Sequence, residues 1–440
     1  MRPLVFLSIP NLRAADLPVM PALADAAGVV RRELGCRGPA LTCPVHATLT
    51  TGVGVGGDGR PGHGVVANGF YWRERREVEM WTAWGETLFA PRWWDDADPR
   101  PSTALWFPLL AKGSSADFVC TPAPIHNPDG SESLWCYTKP EMLYGDLRDA
   151  FGHFPLKHFW GPLAGIESSR WIAASAVEAA GRFRPDFHFI YLPHLDYTAQ
   201  KHGPDSPEAE AAAVALDGEI AGLIEGLRAA YRDADPVFVA ASEYVITPVE
   251  AVACPNRVLR EAGLLAVTDH GGEEHIDFAS TPAWAMADHQ IAHVFVEDAG
   301  DVTRVADALR EADIAAAVLT GRDRADVDLD HPRSGDVVLL SRTDASFAYP
   351  WWFDDGKAPA FARIVDIHRK PGYDPVELFF DPATKSIPLD PSLVRGSHGL
   401  PTGAGGAAGV CLASDEKFFG GKAGVLDHES LAGTIRRHFA

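Results

Sequence analysis

Basic residues are scarce in this sequence relative to acidic ones. The 440 residues include 39 lysines and arginines against 60 aspartates and glutamates, which gives a formal net charge of −21 at pH 7. A nucleic-acid polymer is bound through a basic face that neutralises phosphates, so this balance argues against such a partner. It does not exclude a small phosphorylated substrate, because a metal ion or a helix N-terminus reverses the field locally in one pocket.

Regular cysteine spacing and long apolar runs are also lacking. The six cysteines are scattered without a CxxC pair, which favours reduced, structural thiols over a zinc finger or a disulfide framework. No window approaches the 18 uninterrupted apolar residues that indicate a membrane span, and the apolar run near the start is too short for a signal peptide. We therefore expect a cytoplasmic protein without a membrane partner. The sequence does not indicate its oligomeric state.

Short apolar segments alternate with Ala- and Leu-rich segments along much of the chain. This alternation is typical of an α/β fold, with a mostly parallel sheet and helices on both faces. Ligands bind such sheets at the carboxyl ends of the strands, so we expect Pro10, Asp196 and Glu243, which each follow a predicted strand, to converge. The predicted strands are 4–9, 187–192 and 236–241, and the predicted helices are 17–34, 168–183 and 206–231.

Two regions interrupt the alternation. Eight of the twelve tryptophans fall between residues 72 and 160. A later region has a strand and helix pattern of its own, with strands predicted at 291–296 and 315–319 and a helix at 302–312. We expect a core formed by residues 1–254 and 335–440, with residues 255–334 inserted as a small cap subdomain.

A threonine hydroxyl stands at a proline-marked turn in segment 41–52 (LTCPVHATLTTG), before a helix-compatible run that ends at Gly52. The N–H groups and the dipole at the head of a helix favour an anion, which suits attack by Thr42 on phosphorus. By itself, a threonine in this position is more often a helix cap, and the adjacent Cys43 is another nucleophile to consider. A second turn (HGVVAN) ends at Asn68.

These segments together resemble the nucleophile region of the nucleotide pyrophosphatase/phosphodiesterase branch of the alkaline phosphatase superfamily. In that branch, Thr-Phe-Pro-Asn-His is followed by Thr-Gly and then by His-Gly-(Ile/Val)-x-x-Asn. The resemblance implies an alkaline-phosphatase-like fold, with Thr42 as the nucleophile and Asn68 as a ligand of a phosphoryl oxygen. It places an aromatic residue where Cys43 stands, so Cys43 is interpreted as a packing residue.

The resemblance also implies two metal ions beside the nucleophile, which lower its pKa and neutralise the phosphoryl group. Of the six expected ligand positions, two keep the family residue (Asp196 and His398), and Glu243 stands in place of an aspartate. Three ligands for two ions are too few, because a tight site needs three or four ligands per metal. We expect one divalent ion, zinc or manganese, held weakly or by unfamiliar ligands, or no ion. The replaced positions are Pro10, Gln200 and Tyr244.

Three residues are candidates for binding the substrate. Tyr244 is a competent hydrogen-bond donor to a phosphoryl oxygen or a leaving group. His368 stands in a dense polar segment, 365–375, that suits oxyanion binding. Tyr71 follows Asn68 where the resemblance implies aromatics near the leaving group, although large aromatics are more often core residues. His289 is an alternative source of a metal ligand, although a structural role is more common.

The function predicted from these residues is hydrolysis or transfer at a phosphoryl centre. The substrate is expected to be a small phosphodiester or phosphate ester, and Thr42 to form a phospho-enzyme intermediate. We also expect the Thr42 hydroxyl to be accessible and close to Asp196 and His398. The alternatives are a member that acts on another oxyanion ester, and a degenerate member that binds a phosphorylated or aromatic ligand without hydrolysis.

Overall fold

The strands are short apolar segments, and most of their residues are buried. The computed structural model describes residues 2–57, 59–127, 132–367, 370–420 and 424–440. Within them, one sheet has nine strands and a second has four. In chain order the strands of these two sheets are β1 (Leu4–Ile9), β2 (Val30–Gly35), β3 (Thr103–Trp106), β4 (Phe118–Pro122), β5 (Cys136–Lys139), β6 (Phe187–Tyr191), β7 (Val237–Ser242), β8 (Ala283–Asp288), β9 (Ile291–Val296), β10 (Ala317–Thr320), β11 (Val337–Leu340), β12 (Gly409–Ala413) and β13 (Leu426–Asp427).

The large sheet has the order β13-β2-β12-β7-β1-β6-β3-β4-β5. Strand β1 lies between β6 and β7 and is parallel to both, with Ser8 opposite Tyr191 and Ile9 opposite Ser242. The carboxyl ends of these three strands therefore meet at one edge of the sheet. The predicted convergence of the segments that follow them is confirmed.

Helices pack around the large sheet in two groups. Helix α4 contacts α6, which also contacts α1, whereas α2 contacts α9. The predicted mostly parallel α/β architecture is confirmed. The helices are α1 (Pro21–Ala27), α2 (Thr42–Thr51), α3 (Leu143–Phe151), α4 (Ile166–Phe183), α5 (Asp196–His202), α6 (Pro207–Tyr231), α7 (Pro255–Glu261), α8 (Val302–Glu311) and α9 (His428–His438).

The prediction of one long helix at residues 17–34 is wrong. A single 3-10 turn (Leu17–Val19) and the short helix α1 occupy its first part, and the chain leaves the helix at Gly28. Its second part is strand β2, which pairs with β12 and β13. Pairing with the neighbouring strands makes this part of the chain a strand. Its alternating residues suit a half-buried strand, in which one face meets the core and the other meets solvent.

The four-stranded sheet has the order β8-β9-β11-β10, and its neighbouring strands are antiparallel. Its last strand, β11, lies beyond residue 334, where the inserted subdomain was expected to end; the division into subdomains stays a prediction. The turn between β8 and β9 is only two residues long and points at the edge where β1, β6 and β7 end, as the contacts below show.

Five two-stranded pairs accompany the two larger sheets in the described residues. The two-stranded pairs are Gly69–Trp72 with Glu77–Met80, Ile125–His126 with Glu132–Ser133, Thr247–Pro248 with Gly396–Ser397, Ala251–Ala253 with Ala345–Phe347, and Val267–His270 with Glu273–Ile276.

Of the helices that the structure describes, none has the length and apolar character needed to cross a membrane.

Candidate active site

Thr42 is the first residue of helix α2, and its hydroxyl lies 3.0 Å from the hydroxyl of Tyr244. The helix ends at Gly52, which has φ +77° and caps it in the left-handed conformation. The expectation of an accessible hydroxyl is wrong, because Thr42 is only 5% exposed. Tyr244, itself 3% exposed, lies beside it.

Tyr244 belongs to a stack of four rings that forms one wall of the site. Its ring lies on His398 with 3.6 Å between centroids and 2° between planes. His398 contacts His289 at 3.9 Å, and His289 stacks on Tyr373 at 4.0 Å. Burial raises the pKa of the Tyr244 and Tyr373 hydroxyls well above the usual value, so both remain neutral phenols that can donate hydrogen bonds.

Asn68 is held in a fixed orientation beside the start of helix α2. Its side-chain oxygen accepts a hydrogen bond from the Cys43 N–H at 3.0 Å. Its backbone N–H and its amide both donate to the Asp288 carboxylate, at 2.8 and 3.1 Å. The amide retains a second hydrogen for another acceptor. Asn68 therefore lies beside the first turn of helix α2, and its role as a ligand of a phosphoryl oxygen stays a prediction.

The neighbouring thiol is not activated. Cys43 is buried, and burial raises the pKa of its thiol well above the usual value, with Asp288 and Glu243 acting in the same direction. A thiol is nucleophilic as the thiolate. This position therefore agrees with the interpretation of Cys43 as a packing residue.

His289 is carried to the site by the β8–β9 turn. Its backbone has φ +61°, which is uncommon for a residue other than glycine, and such strain is a pointer to function. Its Nδ1 lies 2.7 Å from the carboxylate of Asp288, which also binds Asn68. The backbone N–H of Gln290 donates to the His398 carbonyl at 2.8 Å, which ties the turn to the segment that carries His398.

Asp196 is the first residue of helix α5, just after strand β6. Gln200 donates to its Oδ1 at 3.0 Å, and the Tyr373 hydroxyl donates to the Gln200 oxygen at 2.8 Å. Burial raises the pKa of Asp196 to about 6, while hydrogen bonds from Gln200 and Tyr244 and the nearby His289 act in the opposite direction. Asp196 therefore belongs to the cluster around Tyr244.

Glu243 follows strand β7, but its carboxylate is directed into the core beneath helix α2. Its Oε1 accepts from Ser8 Oγ at 2.7 Å and lies 2.8 Å from His46 Nε2. The Nδ1 of His46 accepts from the Leu109 N–H, so Nε2 carries the hydrogen that Glu243 accepts. Both Glu243 and His46 are fully buried. Glu243 thus anchors α2 to the sheet.

His398 is a neutral imidazole with one free nitrogen. Its Nδ1 donates to the carbonyl of Ala40 at 2.7 Å. Its Nε2 is buried without a hydrogen-bond partner in the described part of the chain. Burial lowers the pKa of His398 well below the usual value, and His289 acts in the same direction. Its lone pair is therefore available to a metal ion or to a donor.

One predicted substrate-binding residue, Tyr71, is not brought to Thr42. The ring of Tyr71 packs in an aromatic cluster with Trp284 at 4.9 Å and Phe295 at 4.8 Å, and its role in substrate binding stays a prediction. His368 lies outside the described residues. His293, a possible alternative ligand, is fully buried and accepts from the Gly335 N–H, which is a structural arrangement.

The possible metal ligands near Thr42 do not match the two-metal centre that the sequence resemblance implied. The described residues hold no group of three or more His, Cys, Asp or Glu side chains placed to bind a metal ion. Asp196 is engaged by Gln200, and Glu243 is engaged by Ser8 and His46. Two buried atoms lack a partner in this region, His398 Nε2 and Glu243 Oε2. A zinc site needs three or four donors.

A narrow cleft adjoins the cluster at Tyr373. Its walls are mostly aromatic or aliphatic, and Trp81 contacts Tyr373 edge to face with 6.0 Å between centroids. The carboxylates at its edge, Asp374 and Glu377, are paired with the buried Lys370 at 2.8 and 2.6 Å. The lining residues are Trp81, Trp160, Gly161, Tyr197, Ile367, Tyr373, Asp374, Glu377 and Leu378.

Sequence reasoning did not predict the roles that several residues have in this cluster, and it considered His289 only as an alternative metal ligand. Asp288 and His289 lie more than 200 residues from Thr42, and only the β8–β9 turn brings them close. The left-handed backbone of His289 has no sequence signal, because glycine is the residue that marks such positions. Gln200, quoted only as a replaced ligand, orients Asp196.

Most of the chain matches the model of a known protein family. The model of the family described as type I phosphodiesterase / nucleotide pyrophosphatase matches residues 7–374. The chain belongs to this family. The type I phosphodiesterase family is a family of hydrolases, and the chain is a homologue of them. No curated protein matches the chain significantly in sequence.

Solved structures show the same fold in other proteins. The chain is similar to phosphonoacetate hydrolase from Sinorhizobium meliloti 1021 in complex with phosphonoformate, with a TM-score of 0.64, 17% identity and coverage of 100% of this chain and 96% of that one. It is also similar to human ectonucleotide pyrophosphatase / phosphodiesterase 5, with a TM-score of 0.60, 13% identity and coverage of 100% and 95%. The murine form in complex with AMP has a TM-score of 0.59, 14% identity and the same coverage. The predicted alkaline-phosphatase-like fold is confirmed.

Proposed function

We propose that this protein hydrolyses a small phosphodiester or phosphate ester, with Thr42 as the attacking group. The observation that carries the proposal is the position of the Thr42 hydroxyl at the head of helix α2, 3.0 Å from the Tyr244 hydroxyl, with Asn68 bonded to the N–H of the next residue, Cys43. An anion is favoured there, because the first N–H groups of a helix lack intrahelical partners and carry partial positive charge. Family membership supports the reaction class.

In the proposed reaction, Thr42 Oγ1 forms a bond to phosphorus as the bond to the leaving oxygen breaks. The hydroxyl proton of Thr42 is released and the leaving oxygen takes up one proton, so the step is balanced. Water then attacks the phosphothreonine and restores the hydroxyl. The second amide hydrogen of Asn68 is available to bind a phosphoryl oxygen. The single hydrogen of the Tyr244 hydroxyl, which is donated to Asp196 in the free protein, would have to turn toward the substrate to bind another.

The cleft beside Tyr373 is proposed to hold the leaving group. Its aromatic walls, with Trp81 and Trp160 among them, suit a flat or apolar group. Its two carboxylates share a single buried cation, Lys370, which offsets one of their two negative charges and weakens their repulsion of a phosphorylated substrate. Relatives of known structure are in complex with small phosphorus-containing ligands, phosphonoformate in one and AMP in another.

The single zinc or manganese ion expected from the sequence has no step in this proposal. Of its expected ligands, Glu243 is directed into the core and Asp196 is oriented by Gln200. His398 alone keeps a free nitrogen in the described part of the site. The donors that are present do not fit such an ion, and the proposed chemistry uses the chain's own hydroxyl and amide groups.

A second candidate function is binding of a phosphorylated or aromatic ligand without hydrolysis. The specific observation in its favour is that Thr42 is 5% exposed, with its hydroxyl already bonded to Tyr244. A substrate must displace or bypass that hydroxyl before attack. The same cleft then serves as a binding site only.

Turnover of a chromogenic substrate, bis(p-nitrophenyl) phosphate, separates these two functions. We expect release of nitrophenol, loss of about 10³-fold or more in kcat for Thr42→Ala, and a p-nitrophenyl phosphoryl group on Thr42 in acid-quenched samples analysed by mass spectrometry. Thr48→Ala is the matched control, since Thr48 lies on the same helix and bonds the Pro44 carbonyl. Equal activity of Thr42→Ala and the wild type would remove Thr42 from the mechanism.

A further inference from the structure

We infer that the Thr42 centre is organised by hydrogen bonds from the protein itself, with the Tyr244 hydroxyl in place of a metal ion beside the nucleophile. The inference rests on the proposed function only for the role of Thr42 as the attacking group. The inference concerns which groups surround the Thr42 hydroxyl oxygen, and it can be tested without an activity assay.

The first support is the contact between the two hydroxyl groups. The oxygens of Thr42 and Tyr244 are 3.0 Å apart, an ordinary hydrogen-bond distance. Tyr244 follows Glu243 directly after strand β7, so the carboxyl end of this strand presents a phenol to Thr42 where the family pattern has a ligand. A neutral phenol is a hydrogen-bond donor and a poor metal ligand.

The second support is that Tyr244 is held in this position. Its ring lies flat on His398, and His398 is fixed by its hydrogen bond to Ala40. His289 and Tyr373 continue the stack on the other side of His398. Moving Tyr244 away from Thr42 would break the hydrogen bond and the ring contact together.

The third support is that the two carboxylates near Thr42 are each held by protein donors through one oxygen. Gln200 donates to Asp196, and Tyr373 in turn fixes Gln200. Ser8 and His46 occupy one oxygen of Glu243 and direct the carboxylate below α2. An ion bound near Thr42 would have to reorient two buried side chains, and it would still have fewer strong ligands than a zinc site requires.

The test is the metal content of the purified full-length chain. The protein is expressed in medium supplemented with zinc and manganese, dialysed against metal-free buffer and analysed by inductively coupled plasma mass spectrometry. We expect much less than one ion per chain, and no change in melting temperature on adding Zn²⁺ or Mn²⁺, because an ion that binds the native state would raise it. One tightly held ion per chain, lost in Tyr244→Phe, would overturn the inference.

A variant designed to bind zinc at this position provides a positive control for the metal analysis. Gln200→His combined with Tyr244→His adds two imidazoles beside Asp196 and His398, so we expect about one zinc ion per chain and a rise in melting temperature with Zn²⁺. Tyr349→His is the matched control, since Tyr349 is also a buried tyrosine but lies outside the ring stack. Should the double variant not fold, the metal content of the wild type still decides the question.

The failure of the inference and the failure of the proposed function are distinguishable. A metal-free protein that turns over no ester supports the inference and contradicts hydrolysis. A protein that holds one or two ions and hydrolyses esters contradicts the inference alone. A protein that is metal-free, active and insensitive to a chelator, with kcat reduced about tenfold or more in Tyr244→Phe, supports both.

Discussion

The rings of Tyr244 and His398 lie 3.6 Å apart and within 2° of parallel. Two segments separated by more than 150 residues of sequence are thereby joined beside Thr42. One residue follows the central strand β7, and the other follows the short strand Gly396–Ser397, which pairs with Thr247–Pro248. The contact holds Tyr244 over Thr42, and it makes the neighbourhood of Thr42 sensitive to single substitutions.

Asp288 is predicted to hold both Asn68 and His289 in position. Its Oδ1 accepts from the Asn68 amide and lies 2.7 Å from His289 Nδ1. Asp288→Asn would replace one carboxylate oxygen with an amide that faces donors. We expect a loss of about 1–3 kcal/mol in the free energy of unfolding, measured by urea denaturation, and a reduced kcat with bis(p-nitrophenyl) phosphate. Asp269→Asn, at an exposed carboxylate, should change neither; a normal kcat in Asp288→Asn would exclude this role.

Glu243 is predicted to stabilise the fold. Removing its carboxylate in Glu243→Ala leaves Ser8 and His46 as buried groups without an acceptor. A buried polar group that loses its partner is costly, so we expect the free energy of unfolding to fall by at least about 3 kcal/mol. Glu225→Ala, an exposed glutamate on helix α6, is the control and should change it by less than about 0.5 kcal/mol. Similar urea midpoints for the two variants would contradict the anchoring role.

His188 is predicted to weaken the fold in acid. It is fully buried in strand β6, and burial lowers the pKa of its imidazole from 6.5 to about 3. The unfolded chain therefore binds a proton below pH 6.5 that the native state does not bind until about pH 3, so stability falls as the pH falls through this window. Each pH unit costs about 1.4 kcal/mol.

The measurement is the pH dependence of urea unfolding between pH 7 and pH 4. His188→Leu should flatten the decline, because the replacement binds no proton in either state. His270→Leu is the control, since His270 is exposed. An identical pH dependence for wild type and His188→Leu would show that His188 does not contribute to acid sensitivity.

Trp81 is predicted to determine affinity for the leaving group. Its ring lines the cleft next to Tyr373. Trp81→Ala should raise KM for an aryl phosphodiester about tenfold, because an aromatic contact is worth about 0.5–1.5 kcal/mol, while a methyl ester of the same phosphate is unaffected. Trp84→Ala, at a position 43% exposed, serves as the control. A fall in kcat with unchanged KM would place Trp81 outside the leaving-group pocket.

Much of the fold could be predicted from local patterns. Strand β1 has the predicted bounds, and β6, β7, α4 and α6 begin or end within about two residues of them, because short buried strands and long Ala-rich helices have strong local signals. Segment 17–34 could not be predicted in this way. Its second half is a strand only because β12 and β13 lie beside it.

For the site, the sequence by itself determined which chemical groups stand at the ends of the strands: a hydroxyl at Thr42, a carboxylate at Asp196, and a phenol at Tyr244 in place of a ligand. Only the tertiary structure decided that Glu243 is directed into the core, that Tyr244 covers Thr42, and that Asp288 and His289 enter from the second sheet. The local sequence determines where a strand ends. The direction of a side chain depends instead on packing against residues that lie hundreds of positions away in the sequence.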